Sequence, residues 1–308
     1  MSIEPKSEVM PPNVPPSLKA NRRYHLGCPV WGDASWVGSF YTTSNRKRWL
    51  SEYSRVFNTV EGNSTFYALP AFETVERWAT ETEDGFEFAL KVPREITHDY
   101  QLVGADQACA ALYQRLEALR QASRLGPTFL QMPPTFSAQS FSQLENFIQS
   151  WPREYPLAVE VRHPDYFDQG STETRLNELL MSVQADRVLF DSRCLFSQGP
   201  ADESEMAAQQ RKPKSPYRTT VTGQRPFLRL IGRNHLEQTA PWVESWAEQV
   251  ADWIRQGYRP LVFTHTPDDQ YAPQLARYFH VELQKHLSDL PDLPPPPTQQ
   301  GPQQLSLF

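Results

Sequence analysis

Short runs of apolar residues recur along the chain, and eight of them have the length of a β-strand. They occupy residues 24–28, 59–67, 86–92, 128–132, 157–161, 187–191, 227–231 and 261–264. Their starts lie about 34 residues apart, which is the length of one strand, one helix and two connecting loops. The pattern therefore predicts a series of repeated strand–helix units.

Most gaps between these runs carry apolar residues at helical spacing. In the first gap, Trp49, Tyr53 and Phe57 lie four residues apart, and Ser44 is the predicted helix cap. Comparable patterns follow the second, third, fourth, fifth, seventh and eighth runs. The gap after the sixth run differs, because residues 196–224 are polar and rich in proline. We interpret that segment as a long loop.

The alternation of strands and helices predicts a parallel sheet, and eight repeats are enough to close a (β/α)8 barrel of the TIM type. A doubly wound open sheet is the alternative, but the loop after Gly27 lacks the glycine-rich phosphate-binding turn G-x-G-x-x-G. We therefore predict an α/β fold with a single TIM-type barrel over residues 23–287. Residues 1–22 and the Pro-rich residues 288–308 are predicted to be disordered tails.

Composition narrows the classes of function. The chain has 30 Lys and Arg residues against 36 Asp and Glu residues, which gives a net charge of -6. This balance excludes a basic surface over the whole protein, but it is compatible with a local basic site. Three widely spaced cysteines indicate neither a disulfide framework nor a zinc site. The N-terminus resembles no secretory signal, and no apolar run reaches 18 residues. We expect a cytoplasmic protein that does not contact a membrane.

Charged residues stand at the ends of several predicted strands. Because barrel enzymes place their active sites at the carboxyl ends of the strands, these residues are candidates for catalysis and binding. The catalytic candidates are Glu61, Lys91, Glu160 and Asp191. The substrate-binding candidates are Asn63, Tyr67, His98, Gln131, Arg162, His163, Arg229 and Arg233. Such a set suits an anionic substrate, but a structural ion-pair network would have the same sequence pattern.

The sequence does not decide which cofactor the protein uses. Glu160, Asp191 and the histidines His98, His163 and His265 are compatible with a divalent metal, but no H-x-H or H-E-x-x-H spacing supports one, so no metal ligands are assigned. The aromatic residues Trp31, Phe66 and Tyr67 are suited either to stacking on a substrate ring or to filling the core.

Several longer motifs resemble the YecE-like family, known as domain of unknown function 72. They include VEGNSTFYALP, FALKVPREITH, LQMPPTF, VEVRHPDYF and LRLIGR, and the resemblance extends from about residue 24 to about residue 287. It implies a TIM-type barrel and no particular reaction. The family's recurrent polar positions correspond to Glu61, Asn63, Lys91, His98, Gln131, Glu160, Arg162, His163, Asp191 and Arg229. The chain departs from the family pattern at two places. The end of its last predicted strand reads FTHTP, where the family commonly has a pair of asparagines, and Ile231 stands where the family usually has a histidine.

The C-terminal string QLSLF resembles the motif that binds the bacterial sliding clamp. By that resemblance Gln304 enters one subsite, Leu307 and Phe308 fill a hydrophobic pocket, and Leu305 supports them. The prolines at residues 294–297 predict a stiff spacer before the motif. Alternatively, the last apolar residues pack back onto the barrel.

Three hypotheses of function follow from the barrel and the tail. The first is a hydrolase of phosphodiester bonds, nuclease-like or a phosphodiesterase, that acts on DNA or nucleotides in replication or repair and is tethered to the clamp. The second is an enzyme acting on a small phosphorylated metabolite. The third is an adaptor without catalysis, so whether the chain is an enzyme stays open.

Overall fold

The computed structural model describes residues 23–299, which form an α/β fold of parallel strands and helices. Each of the eight apolar runs contains one strand. The strands are β1 His25–Gly27, β2 Thr59–Gly62, β3 Glu87–Leu90, β4 Thr128–Gln131, β5 Leu157–Glu160, β6 Asp186–Asp191, β7 Phe227–Ile231 and β8 Leu261–His265. The predicted strand–helix repeat is therefore confirmed within the described residues.

Six strands form one curled parallel sheet in the order β1-β8-β7-β6-β5-β4, and β2 and β3 form a second sheet. The two sheets touch at both edges through isolated backbone hydrogen bonds rather than a regular ladder. The Val92 amide donates to the Phe129 carbonyl at 2.9 Å, and the Glu61 amide donates to the Cys28 carbonyl at 3.1 Å. A Cβ on Gly27 would lie 2.1 Å from the Thr59 carbonyl oxygen, so only glycine allows this close approach. Within residues 23–299 the continuous eight-stranded ladder expected of a TIM-type barrel is therefore interrupted at two edges, between β1 and β2 and between β3 and β4.

Helices lie between the strands and cover the convex side of the sheet. They are α1 Trp49–Ser54, α2 Ser64–Tyr67, α3 Phe72–Glu81, α4 Asp106–Gln121, α5 Phe141–Ser150, α6 Ser171–Val183, α7 Glu203–Arg211, α8 Ala240–Arg255 and α9 Ala272–His286. In α8, Trp246 and Val250 are buried in the same apolar cluster as Leu228 and Leu230 of β7. The apolar stripe of the helix and the outward residues of the strand thus form one core.

The concave side of the sheets has its own apolar layer. It consists of Ala89, Phe129, Ala158, Val188, Phe227, Leu261 and Phe263, all fully or almost fully buried. These residues come from strands of both sheets, so the inward side chains of β3 meet those of β4 to β8. Because side chains alternate between the two faces of a strand, the residues two positions further along each strand also point inward.

The segment predicted as a long loop contains α7. The prediction was wrong here because this helix buries only Glu205 and Ala208 and has no apolar stripe. Its start is marked by Asp202, whose side chain accepts a hydrogen bond from the Glu205 amide at 2.7 Å. Similarly, Asn45, rather than Ser44, caps the turn that leads into α1.

The structure also differs from the prediction over residues 288–299, which pack against the body instead of forming a free spacer. Arg277 of α9 donates to the Pro294 carbonyl at 2.6 Å, and Gln284 donates to Asp292 at 2.8 Å. The Thr298 hydroxyl donates to the Ser39 carbonyl at 3.0 Å. Proline carbonyls remain good acceptors, and polar side chains of α9 bind them. Residues 1–22 and the predicted clamp motif with Gln304, Leu305, Leu307 and Phe308 lie outside the described residues.

No helix between residues 23 and 299 has both the length and the apolar character needed to cross a membrane.

Candidate active site

A polar layer lies directly above the apolar layer, at the carboxyl ends of the strands. It is formed by the next inward-facing residue of each strand from β2 to β8, and six of these seven residues are polar. They are Glu61, Lys91, Gln131, Glu160, Phe190, Arg229 and His265, of which Phe190 is the apolar member. The two-residue period of a strand therefore gathers residues that are up to 204 positions apart in sequence.

Arg229 holds two carboxylates together at the centre of this layer. Its Nε and Nη2 donate to Glu61 at 2.8 and 2.7 Å, and its Nη1 donates to Glu160 at 2.7 Å. Burial opposes ionisation of Glu61, but Arg229 and His265 hold the pKa of its carboxyl well below the usual range. The two acids, in turn, hold the pKa of Arg229 above its already high value against the effect of burial. All three groups are therefore charged at neutral pH.

Two further residues extend the cluster. Arg162 donates from Nε to Glu160 at 2.6 Å and from Nη2 to Gln131 at 2.8 Å. Asn63 donates to Glu61 at 2.7 Å and to the Pro29 carbonyl at 3.1 Å, which connects the network to the loop after β1. We call Glu61, Arg229, Glu160, Arg162, Gln131 and Asn63 the carboxyl-end network.

Lys91 lies beside the carboxyl-end network but makes no hydrogen bond from its side chain to any residue between 23 and 299. Its Nζ is 4.1 Å from the ring centroid of Phe66 and 5.6 Å from that of Phe129. Burial and the nearby charge of Arg229 lower the pKa of Lys91 to about 7, although Glu160 and Glu61 oppose the shift. A group with this pKa can both accept and donate a proton at neutral pH.

His98 lies next to Lys91. Its ring meets the edge of Phe66 at 5.0 Å, and its Nδ1 is 2.8 Å from the Thr97 hydroxyl. Burial, followed by the charge of Lys91, lowers the pKa of His98 to about 4. The imidazole is therefore neutral at pH 7 and serves as a hydrogen-bonding group rather than a cation.

A second group of residues at the same end contains His265, which the sequence suggested only as a metal candidate, and Asp269 and Lys212, which sequence reasoning missed. His265 Nε2 is 3.3 Å from Glu61, and its Nδ1 is 4.0 Å from Asp269. One buried oxygen of Asp269 has no hydrogen-bond partner within residues 23–299, and its backbone has a φ of 61°. Burial lowers the pKa of Lys212 to about 8, and Asp269 opposes this shift. His265 follows Leu261 and Phe263 in phase, which was a usable signal, whereas the two loop residues gave none.

Four predicted residues, Asp191, Arg233, His163 and Tyr67, do not join the network. Asp191 faces outward, where it accepts hydrogen bonds from the Trp246 indole at 2.7 Å and from Arg193 at 2.7 Å. The inward position at the end of β6 belongs to Phe190, because side chains alternate from Val188 onward. Of the three predicted acids Glu61, Glu160 and Asp191, only Glu61 and Glu160 therefore meet in the network.

Arg233 also has a structural partner. It pairs with buried Glu205 of α7 through two hydrogen bonds, one of them 3.0 Å long, and so fixes this helix over the sheet. His163 accepts the Asp165 amide at 3.2 Å and caps a short turn. Tyr67 lies at the rim of the same end with 83% of its surface exposed.

The predicted carboxylates and histidines do not assemble into a metal site. Within the described part of the chain, no three His, Cys, Asp or Glu side chains are grouped so that they could hold an ion. Glu61 and Glu160 are instead bonded to arginines, and Asp191 points away from both.

A cleft of about 570 Å³ opens beside the network, between the loop after β1 and the end of β2. Its lining includes Glu61, Asn63, Trp31 and Trp78. The charged centre is thus adjacent to a space large enough for a small molecule.

Comparison with known proteins gives one family and a consistent fold. The family model described as "Protein of unknown function DUF72" matches residues 25–301. The UPF0759 protein YecE of Escherichia coli strain K12 is 37% identical over 284 residues, which cover 92% of this chain and 99% of that protein. The UPF0759 protein YunF of Bacillus subtilis strain 168 is 25% identical over 162 residues, which cover 50% of this chain and 55% of that protein.

Two solved structures of DUF72 family proteins have a similar fold. The protein from Thermotoga maritima MSB8 has a TM-score of 0.65 at 22% identity, with 86% of this chain and 99% of that chain covered. The protein from Enterococcus faecalis V583 has a TM-score of 0.64 at 18% identity, with 86% and 97% covered. At these identities the likeness concerns the fold alone.

Proposed function

We propose that this chain, which belongs to the DUF72 family, is an acid–base enzyme that acts on a small, negatively charged substrate at the carboxyl-end network. One observation carries the proposal. Lys91 is buried beside four strongly paired groups, yet its own ammonium has no hydrogen-bonding partner among the described residues. With a pKa of about 7, it is suited to moving a proton to or from a substrate.

The charge of the region supports an anionic substrate. Four cationic side chains, those of Lys91, Lys212, Arg162 and Arg229, interact with two fully ionised acids, Glu61 and Glu160. Arg162 and Arg229 balance Glu61 and Glu160, so the positive charge beyond this balance comes from Lys212 and the protonated form of Lys91, opposed by the buried carboxyl of Asp269. A local positive potential of this kind attracts anions and stabilises negative charge that develops during a reaction.

The network itself would hold the reacting groups in place. Arg229 is fixed between two carboxylates, so it shapes the electrostatic field without moving. Arg162 is 17% exposed and uses only Nε and Nη2 inside the protein, which leaves Nη1 to contact a substrate anion. His98 adds a neutral hydrogen-bonding group next to Lys91.

This arrangement favours the hypothesis of a small substrate over cleavage of phosphodiester bonds. The latter chemistry commonly relies on carboxylates that hold divalent ions. Here Glu61 and Glu160 are occupied by arginine.

We also propose that the two sheets close into the full ring of a TIM-type barrel. The shared concave layer and the contacts between β1 and β2 support closure. Gly27→Ala should destabilise the fold by about 3 kcal/mol, because the new Cβ overlaps the Thr59 carbonyl. Gly199→Ala, which meets no atom within 4 Å, is the matched control. Equal stability of the two variants in urea would argue against closure at this edge.

The pKa of Lys91 tests the proposed chemistry directly. Acetic anhydride should label Lys91 with a midpoint near pH 7, read by mass spectrometry of the folded protein at a series of pH values. Lys285 is the control, because its hydrogen bond to Glu282 raises the pKa of its ammonium. If both lysines became reactive only above pH 10, Lys91 would have no role as an acid or base at neutral pH.

A substrate screen then tests turnover. Small phosphate and carboxylate esters, sugar phosphates and nucleotides are incubated with wild type, Lys91→Met and Lys91→Arg. We expect a rate that falls about 100-fold or more in both variants and a wild-type pH profile with an inflection near 7. A turnover that survives in Lys91→Met would exclude Lys91 as the proton-transfer group.

We further propose that Gln304, Leu305, Leu307 and Phe308 dock on a bacterial sliding clamp. The proposal rests on the resemblance of QLSLF to the clamp-binding motif, and residues 288–299, which precede it, run along α9 to Ser39 in the loop after β1. The nine following residues can extend about 30 Å from there. Calorimetric binding of clamp that disappears on deletion of residues 304–308 supports docking. Equal binding by both proteins would overturn it.

A further inference from the structure

Two cavities adjoin at a pair of tryptophans next to the carboxyl-end network. Trp31 and Trp78 line both the 570 Å³ cleft and a second pocket of about 230 Å³. Their rings meet edge to face with centroids 5.1 Å apart. The carboxyl-end network therefore continues outward into a two-part binding surface.

Most residues that line the cleft are apolar, and its polar residues are Asp33, Ser64, Asn63 and Glu61. Val30, Trp31 and Trp78 form its walls, and Asn63 and Glu61 lie at the end next to the network. Asn63 is held in place there by its bonds to Glu61 and Pro29. The volume of the cleft falls within the range of about 300–1,000 Å³ that is typical of small-ligand sites. Two indoles in such walls suit a flat, apolar ring.

The second pocket is basic. Arg46, Lys47 and Arg77 line it with a single acid, Glu81, which is 3.6 Å from Arg77. The turn that carries Arg46 and Lys47 is fixed by Asn45, whose side chain accepts the Lys47 amide at 3.2 Å. Three cations against one acid leave a positive excess, and guanidinium and ammonium groups bind phosphate through charge-assisted hydrogen bonds.

We propose that these two cavities bind a nucleoside monophosphate unit, with the ring in the cleft and the phosphate in the basic pocket. The sugar then lies at Trp31 and Trp78, where the two cavities adjoin, and the ring extends towards Asn63 at the network end of the cleft. An apolar wall and a cationic patch adjoin here as a base and a phosphate adjoin in a nucleotide, so the two cavities are complementary to this ligand. The inference rests on the proposed function and names the substrate class of that site. The unit is either a free nucleotide or part of a single strand.

Calorimetric titration of the full chain tests the subsite with three probes, adenosine 5′-monophosphate, adenosine and inorganic phosphate. We expect the nucleotide to bind at least about tenfold more tightly than either fragment, because it engages both cavities. The double variant Arg46→Ala/Lys47→Ala should lower nucleotide affinity about tenfold and leave adenosine unaffected. Lys285→Ala is the matched control. Lys285 has an exposed side chain on α9 and lines neither cavity, so this variant should bind the nucleotide as the wild type does.

Trp31→Leu separates the ring site from the phosphate site. It should weaken both adenosine and the nucleotide, and it keeps a large apolar side chain at a half-buried position. A ten-residue single-stranded oligonucleotide with a 5′-phosphate is the fourth probe. Tighter binding of the oligonucleotide than of the mononucleotide, lost in the double variant, assigns the unit to a strand, and the reverse order assigns it to a free nucleotide.

Two results would overturn the proposal. One is inorganic phosphate binding as tightly as the nucleotide, and the other is unchanged nucleotide affinity in the double variant. The labelling midpoint of Lys91 in the wild-type protein distinguishes this failure from failure of the proposed function. Nucleotide binding with ordinary labelling of Lys91 rejects only the acid–base role, whereas labelling near pH 7 without nucleotide binding rejects only the subsite.

Discussion

Two buried networks of arginine and glutamate lie on opposite faces of the strands. On the concave side is the carboxyl-end network, and on the convex side Glu173 accepts hydrogen bonds from Arg187 at 2.8 Å and from Arg218 at 2.7 Å. Arg187 and Arg218 also donate to backbone carbonyls, so this Glu173 network is closed. The cavity beside it measures about 10 Å³, room for no more than one water molecule.

The difference shows that buried charge does not by itself mark an active site. Both networks contain paired ions in the interior, and both would be costly to break. Of the two, only the carboxyl-end network has an adjacent cation, Lys91, without a side-chain hydrogen bond to residues 23–299, and only this network borders a cleft of about 570 Å³, through Glu61 and Asn63. These two features distinguish a candidate site from a purely structural ion-pair network.

The largest expected effect comes from removing one acid from each network. Glu173→Gln and Glu61→Gln should each lower the free energy of unfolding by about 3–5 kcal/mol, because each leaves a buried arginine without its charged partner. Only Glu61→Gln should shift the labelling midpoint of Lys91 below pH 7, since Glu61 raises the pKa of Lys91. Urea unfolding and mass spectrometry measure the two effects. A similar shift in Glu173→Gln would remove the contrast between the networks.

Lys91→Met should stabilise the protein by about 2–4 kcal/mol at pH 7, because one pKa unit corresponds to about 1.4 kcal/mol. Folding lowers the pKa of Lys91 from 10.5 to about 7. Between pH 7 and pH 10.5 the unfolded chain therefore binds more protons than the folded protein does. Wild-type stability consequently rises with pH over this window, and the advantage of the variant shrinks towards pH 10.5. A gain that does not depend on pH would contradict the lowered pKa.

A smaller effect is expected from a pair of matched amide substitutions. Asn63→Ala removes bonds to Glu61 and Pro29, and Asn177→Ala removes a 2.8 Å bond from Arg187. Each should cost about 1 kcal/mol of stability in urea unfolding. Binding of adenosine 5′-monophosphate should weaken only in Asn63→Ala. If both variants lost it equally, the effect would reflect general destabilisation.

The smallest effect is expected for Tyr67→Ala at the rim of the carboxyl ends. With 83% of its surface exposed, Tyr67 should contribute less than about 0.5 kcal/mol to stability. Any loss of nucleotide or anion binding in this variant would then report direct contact. A clear fall in the midpoint of thermal unfolding would instead show that Tyr67 is a packing residue.

Much of the architecture was predictable because local patterns report it. Apolar runs identified every strand of the described residues, and the helical stripe of Trp246 and Val250 identified α8. The same method failed for α7, whose buried residues Glu205 and Ala208 carry no apolar stripe. The Asp202 cap three residues before Glu205 was the available signal.

The candidate site was predictable only in part. The strand ends correctly brought Glu61, Glu160 and Arg229 together, since parallel strands place these ends on one side. Asp191 was misassigned because strand periodicity is exact and an error of one residue moves a side chain to the opposite face. Asp269 and Lys212 belong to loops, where no periodicity exists.

The sequence by itself determined the family, the repeated strand–helix order and the concentration of charge at the strand ends, because each depends on local spacing or on motifs read along the chain. Only the tertiary structure decided which charges are partners. Arg229 pairs with Glu61, which lies 168 residues away in sequence, and Arg233 pairs with Glu205 of α7. Pairing depends on distances of a few ångströms between distant segments, and the same packing left Lys91 buried against Phe66, without a side-chain hydrogen bond to the described residues.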